Sequence, residues 1–286
     1  MDWISLLVFA TPVALAALGE TVGQRSGVLN IGLEGTMLLG AYLGMVVSLH
    51  SGSPWLGVVA AACGGLASAM VLGGLCVGLA ADQVVAGTGI NLLALGITGA
   101  LFRGEFGQSG QLLSVPKLPT WQGLDAISVG TVMLACVLAV LFARSGWGLV
   151  VRASGEEPDA VEAAGFSSTR VRFGALAIGG VLGGIAGAYL SLGIAGSFAE
   201  NMTAGRGFVA IAMVTFGRWN PIGVLAAAAG IGYLDSLQYT FQSRGSALPF
   251  QLFLALPYLA ALAVLVVAGR GRAAPAALGV PYRRGR

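Results

Sequence analysis

Charge is scarce in this chain. Only 9% of its 286 residues are Asp, Glu, Lys or Arg, against roughly 25% in a soluble domain. It has a single histidine, His50, so a histidine-based metal site or proton relay has almost nothing to work with. Cys63, Cys76 and Cys136 all fall in apolar runs, with neither metal-ligand spacing nor a disulfide framework. No metal, no cofactor and no catalytic set is therefore expected. The pattern Gly-x-x-x-x-Gly-Lys-Ser/Thr occurs nowhere, which excludes a phosphate-binding loop and ATP binding through one. The first apolar run, from Ile4, lacks a basic leader, so a cleaved signal peptide is not expected.

What the chain has instead is apolar length. It is 56% hydrophobic, with a mean hydropathy of +0.86. Runs that reach or approach the ~20 residues of a spanning helix cover Ile4–Leu18, Val28–Leu49, Trp55–Ala81, Val84–Phe102, Ile127–Ala143, Phe173–Ala195, Arg206–Gly217, Ile222–Phe241 and Pro249–Ala268. The expected fold is all-α: a polytopic transmembrane bundle of about nine spans, between roughly eight and ten, in one domain over residues 1–286 with nothing left for a soluble domain. The third run is long enough to bend at Gly64-Gly65 or Gly73-Gly74. The seventh is short, and reads either as a span that begins earlier, in Thr203, or as a partial helix. The 46 glycines are roughly twice the usual share. Several recur four apart, at Gly179, Gly183 and Gly187, at Gly40 and Gly44, and at Gly74 and Gly78, the spacing that lets membrane helices pack closely.

Basic residues set the orientation. Residues 144–172 hold Arg144, Arg152, Arg170 and Arg172, and the tail holds Arg270, Arg272, Arg283, Arg284 and Arg286, nine of the fifteen Lys and Arg. Both segments are placed in the cytoplasm. Arg25 then lies inside, while the N-terminus and the Arg103–Ala126 loop lie outside. The tail, 269–286, is expected to meet anionic lipid and not nucleic acid.

Residues 144–172 also carry Glu156, Glu157, Asp159 and Glu162, so this stretch holds 8 of the 27 charged residues. Pro158 suits the first position of a helix. The acids crowd that helix's N-terminal end, where its dipole favours them, and Gly165 after Ala163-Ala164 suits its closure. About two turns of helix are too short to be stable alone in water, so a partner surface is implied.

The pattern Gly155-Glu156-x-x-x-Ala160-x-x-Ala163-Ala164-Gly165, followed by Val171-Arg172, resembles the coupling-helix loop of ABC-transporter membrane subunits. Glu162-Ala163-Ala164 spells that family's EAA letters, although the longer importer form of the motif is not fully matched. Ser26-Gly27-Val28-Leu29-Asn30-Ile31-Gly32-Leu33-Glu34-Gly35-Thr36-Met37 resembles the permease subunits of nucleoside importers that work with lipoproteins of the basic membrane protein family. The likeness extends over nearly the whole chain, weakening in the Arg103–Ala126 loop and after Gly269. It implies a multi-pass subunit of a prokaryotic plasma membrane, paired with a second, related permease, most simply as a heterodimer. It also implies a separate ATP-binding subunit and an extracellular substrate-binding lipoprotein. Gly155, Glu156, Asp159, Ala160, Ala163, Ala164, Gly165 and Arg172 are the residues it assigns to coupling.

An acid inside an apolar run costs roughly 2.5–3.5 kcal/mol near mid-membrane, so Glu34 is expected to be paired or to face a wet cavity. Read as one helix, Asn30 and Glu34 share a face. Asn91, inside the fourth run, needs a hydrogen-bond partner. These three are the candidates for lining a substrate path, although structural pairing explains Glu34 equally well, and for Asn91 a bond between helices is the favoured reading. The alternatives are a permease for sugars or branched-chain amino acids, a stand-alone channel, or a membrane-embedded enzyme. The enzyme would need convergent catalytic groups beside Glu34 and Asp235, where the sequence offers none.

Overall fold

The computed structural model describes residues 3–107, 115–243, Leu259 and 274–282. Its helices are α1 (Trp3–Arg25), α2 (Leu33–Ser51), α3 (Pro54–Gly73), α4 (Gln83–Phe106), α5 (Ala126–Arg144), α6 (Gly146–Glu156), α7 (Pro158–Ala163), α8 (Ser168–Ala188), α9 (Arg206–Phe216) and α10 (Pro221–Ser243). The strands described are a two-residue antiparallel pair, β1 (Thr120–Trp121) and β2 (Leu124–Asp125). Gln122 and Gly123, both at positive φ, turn between them, as a two-residue hairpin requires.

Among the described residues six helices are long and apolar enough to cross a membrane: Trp3–Arg25, Leu33–Ser51, Pro54–Gly78, Gln83–Phe106, Ala126–Arg144 and Ser168–Ala195. Helix α9 has 11 residues, which rise about 16 Å, roughly half the hydrocarbon thickness. It is a partial helix, one of the two forms expected of the seventh run. The ninth expected span, Pro249–Ala268, lies outside the described residues.

Two boundaries differ from the sequence reading. The segment Gly19–Gly27, which falls between the first two apolar runs and so reads as a polar connection, is helical to Arg25. Glu20 and Gln24 sit one turn apart and are buried; Gln24 Nε2 donates to Glu20 Oε1 at 3.0 Å. Their polarity is satisfied within the protein, so the helix need not stop for water. It stops at Gly27, where φ is +94°. Conversely, residues 28–32 were expected to be helical and are unwound; α2 begins at Leu33. Their backbone is held by other elements: Leu29 N–H donates to Gln83 Oε1 at 2.7 Å and Asn30 N–H to Glu20 Oε1 at 3.1 Å. Asn30 and Glu34 are therefore not on one helical face, and Glu34 lies in the first turn of α2.

Helices α1, α2, α3 and α8 make the centre of the bundle. Small residues let them touch backbone to backbone. A methyl group at Gly187 would overlap the Met37 carbonyl on α2, and one at Gly184 the Ala61 carbonyl on α3. The stripe read at Gly179, Gly183 and Gly187 is thus a packing face. Gly74 and Gly78 are not: they meet no close neighbour across a helix interface. They bound a wider π-type turn, Gly74–Gly78, that ends α3 at one of the expected bend points. A second such turn, Tyr189–Ala195, ends α8. On the periphery Val85, Leu92 and Leu93 of α4 and Met133, Val137 and Val140 of α5 are exposed, a belt of apolar surface that lipid covers.

The bundle has two distinct ends. At one, the 115–118 segment meets the turn that follows α8: Leu118 N–H donates to Leu192 O and Val115 N–H to Gly196 O, both at 3.2 Å. Tyr189 and Ser128 hydroxyls close on the Asp125 carboxylate there. At the other, Arg25, α6, α7 and residues 274–282 come together; the tail arginines Arg270, Arg272, Arg283, Arg284 and Arg286 lie outside the described residues.

Candidate functional site

The charged stretch 144–172 folds as two helices and not one. Ser145 caps α6, its hydroxyl accepting Gly148 N–H at 3.0 Å. Pro158 opens α7, where its missing N–H leaves nothing unpaired. Gly165 closes α7 at φ +85°: its N–H donates to Glu162 O at 3.0 Å and that of Phe166 to Val161 O at 3.1 Å. This is the paired closure that glycine in the left-handed region permits. The expected short helix is present from Pro158 to Ala163; the preceding turns of α6 were not foreseen.

Helix α7 and the residues that close it have an inner and an outer face. Val161 is buried, while Asp159, Ala160, Ala163, Ala164, Gly165 and Phe166 are exposed. The outward surface is small and flat, with one aromatic at its edge: Phe166, 54% exposed, which the sequence reading did not single out. Glu162 turns the other way, and its Oε1 accepts Ser168 N–H at 3.0 Å at the start of α8. Acid meets helix N-terminus, a favourable arrangement, and α7 is fixed to α8.

Gly155 and Arg172 lie underneath. A side chain at Gly155 would overlap the Arg25 carbonyl, so α6 rests directly on the end of α1. The Ser154 hydroxyl donates to Ser26 O at 3.3 Å and shares a hydrogen bond with Ser168 Oγ at 2.8 Å. Arg172 is 1% exposed. It donates to Ser154 O and Val280 O, both at 3.4 Å, and its guanidinium lies 5.4 Å from the Tyr282 ring centroid. Of the eight residues assigned to coupling, six are exposed, and these two hold the surface from below.

The second group of candidates lies where α2 and α9 begin. Glu34 Oε1 accepts Gly205 N–H at 2.8 Å and Oε2 accepts Gly207 N–H at 2.7 Å. The carboxylate thus caps the free N–H groups of α9 while standing in the first turn of its own helix, a site favourable to negative charge on both counts. Asn91 reaches from α4: its Nδ2 donates to Ile31 O at 2.9 Å and its Oδ1 accepts Gly35 N–H at 2.8 Å. Asn30 is buried, and its side-chain oxygen has no hydrogen-bond partner among the described residues. Nearby, Arg206 of α9 lies 3.8 Å from Asp235 of α10. The unwound segment 28–32 is therefore gripped from α1 and α4 together.

From this segment a polar chain runs to the end of the bundle that carries α6 and α7. Glu20 bonds Gln24, and Gln24 Oε1 accepts Trp219 Nε1–H at 2.8 Å. Arg25 donates to Trp219 O at 2.6 Å and lies 4.9 Å from the Phe142 ring centroid. Arg218 and Trp219, both at positive φ, make the turn after α9 that aims the indole inward. The sequence signal for this chain was the four-residue spacing of Glu20 and Gln24, which reads equally as loop polarity.

Comparison with known proteins follows the same lines. The family model described as branched-chain amino acid transport system / permease component matches residues 3–269. The chain is 34% identical to the guanosine ABC transporter permease protein NupQ of Bacillus subtilis, over 98% of this chain and 95% of that protein. It is 30% identical to the nucleoside ABC transporter permease protein NupC of Lactococcus lactis, over 97% and 95%. It is also 34% identical to the putative glucose ABC transporter permease protein TsgC13 of Haloferax volcanii, over 84% and 77%. No solved structure matches the chain.

Proposed function

The chain belongs to the branched-chain amino acid transport system permease component family, and we propose that its transported solutes are nucleosides. It is a multi-pass membrane protein and a permease subunit of an ABC importer. The observation that carries the nucleoside reading is the near full-length similarity to permeases named for guanosine and for nucleosides in two bacteria. The TsgC13 similarity covers less of both chains and supports a second reading, a sugar permease.

In this reading α6, α7 and the tail face the cytoplasm, and about nine crossings are completed by Pro249–Ala268. A separate ATP-binding subunit sits on the exposed face formed by Asp159, Ala160, Ala163, Ala164, Gly165 and Phe166, beside the exposed acid Glu156. That subunit hydrolyses ATP. A second permease completes the path as a heterodimer, supported by similarity to both NupC and NupB, two nucleoside permeases of one organism. An extracellular lipoprotein delivers the solute.

Closure of the ATPase moves α7, and the packing of Gly155 on Arg25 passes the motion to the end of α1 and the unwound segment 28–32. Asn30, Glu34 and Asn91 stand on that segment or hold it, beside the path. The test is uptake by proteoliposomes containing this chain with its ATPase, second permease and binding protein. Accumulation of radiolabelled guanosine, competed by other nucleosides and not by glucose, is expected. Glucose uptake without nucleoside uptake overturns the nucleoside reading.

A further inference from the structure

The exposed coupling face does not stand on its own element. Residues 274–282 run across the joint between α6 and α7 and touch three separate parts of the chain. Ala277 N–H donates to Gly155 O at 2.8 Å and Gly279 N–H to Gly27 O at 3.2 Å. Ala276 N–H donates to Glu156 Oε2 at 3.2 Å, and Tyr282 hydroxyl to Asp159 Oδ1 at 3.0 Å. Val280 O accepts from Arg172, whose guanidinium also faces the Tyr282 ring. The segment folds tightly to do this: Leu278 N–H returns to Pro275 O, Val280 N–H to Ala277 O, and Gly279 takes a φ of +77°. Leu278 packs against the main hydrophobic core.

We propose that residues 274–282 are a strap that makes the α6–α7 hairpin and the α1–α2 turn one mechanical body, with Tyr282 as the residue that positions Asp159. This rests on the reading of α7 as the ATPase-facing helix. A six-residue helix is too short to hold its shape unaided. Its inner attachments are Val161, Glu162 on α8, and Gly155 beneath; the strap supplies the rest, and through Gly279 it ties the hairpin to Gly27. A push on α7 therefore reaches residues 26–32 without being absorbed by bending at the joint. Arg172 fits the same role. It is buried without a carboxylate among its described contacts, and the strap supplies one of its two carbonyl partners and its aromatic face.

The experiment uses the complete complex in proteoliposomes, with the chain ending at Arg272 or carrying Tyr282→Phe, which keeps the ring and loses the hydroxyl. Two quantities are read: recovery of the ATPase with the chain, and solute moved per ATP hydrolysed. A strap predicts that the ATPase still co-purifies with the truncated chain while solute per ATP falls about fivefold or more, with a smaller fall for Tyr282→Phe. An unchanged ratio in either variant that binds ATPase overturns the strap. Should the truncated chain fail to insert, Tyr282→Phe decides alone. Failure of the unmodified chain to recover any ATPase overturns the coupling reading itself, a separate result.

Discussion

The Glu34 carboxylate accepts the backbone N–H of Gly207 at 2.7 Å across 173 residues of sequence. With Gly205 as the second donor, this contact fastens the start of α2 to the start of α9. The geometry explains how an acid is tolerated in an apolar chain. Its charge is met by two main-chain N–H groups and two helix N-termini, and no basic side chain is needed.

Glu34→Gln is the sharpest probe of that contact. The amide keeps one acceptor but turns an NH2 toward a backbone N–H and removes the charge. Hydrogen bonds to charged groups contribute roughly 1.5–3 kcal/mol each, so a loss of about 2 kcal/mol is expected. It should register as a lowered thermal unfolding temperature of the detergent-purified chain and as reduced transport. An unaltered melting profile would mean that the α2–α9 junction is held elsewhere.

Trp219→Phe tests the polar chain from Glu20. The indole N–H is replaced by C–H, and Gln24 Oε1, which it served at 2.8 Å, is left buried without that donor. An unsatisfied buried acceptor costs about 1–3 kcal/mol. Hydrogen exchange at the end of α1 should quicken, whereas Phe in place of exposed Trp121 should change nothing.

The glycines separate into two kinds that respond oppositely. At Gly187 a methyl would overlap the Met37 carbonyl, and overpacking of this sort typically costs about 1–3 kcal/mol. Gly187→Ala should lower the yield of folded protein. Gly174, in α8, has open space where its Cβ would be. There Gly174→Ala restores helix propensity and should stabilise the chain by about 0.5–1 kcal/mol. Equal effects at the two sites would refute the packing assignment.

Much of this architecture was legible in residue types, and what was not has a common cause. The closure of α7 at Gly165, its start at Pro158 and the change to a π-type turn at Gly74 follow from local stereochemistry, which the sequence carries. The unwinding of 28–32 does not, because the groups that hold it, Gln83, Asn91 and Glu20, belong to other helices. Glu20 and Gln24 were misread as a connection because polarity alone does not say whether a partner is water or protein. Pairing for Asn91 was expected, but its partners, the backbone of Ile31 and Gly35, could not be named. The docking of 274–282 was invisible for another reason. Three of its contacts use the N–H groups of Ala276, Ala277 and Gly279, and a backbone donor leaves no mark in a sequence.

The face of α7 yields the most direct test of coupling, provided the right residue is chosen. Glu156 is a poor choice despite its exposure, since its carboxylate also accepts from Ala276 and its loss disturbs the strap as well as the surface. Arg172 and Gly155 are buried, and replacing either disrupts the hairpin. Ala164 is exposed at the end of α7, whereas Val161 is buried and Glu162 is bonded to Ser168. Ala164→Trp therefore adds bulk outside the fold and should alter stability by no more than about 0.5 kcal/mol. With the ATPase docked on this face as proposed, it is a steric block, and interface changes of this kind act chiefly on dissociation. The variant is expected to insert and purify like the parent chain, to lose its ATPase during purification, and to support no uptake. Retention of the ATPase with normal uptake would remove α7 from the docking surface.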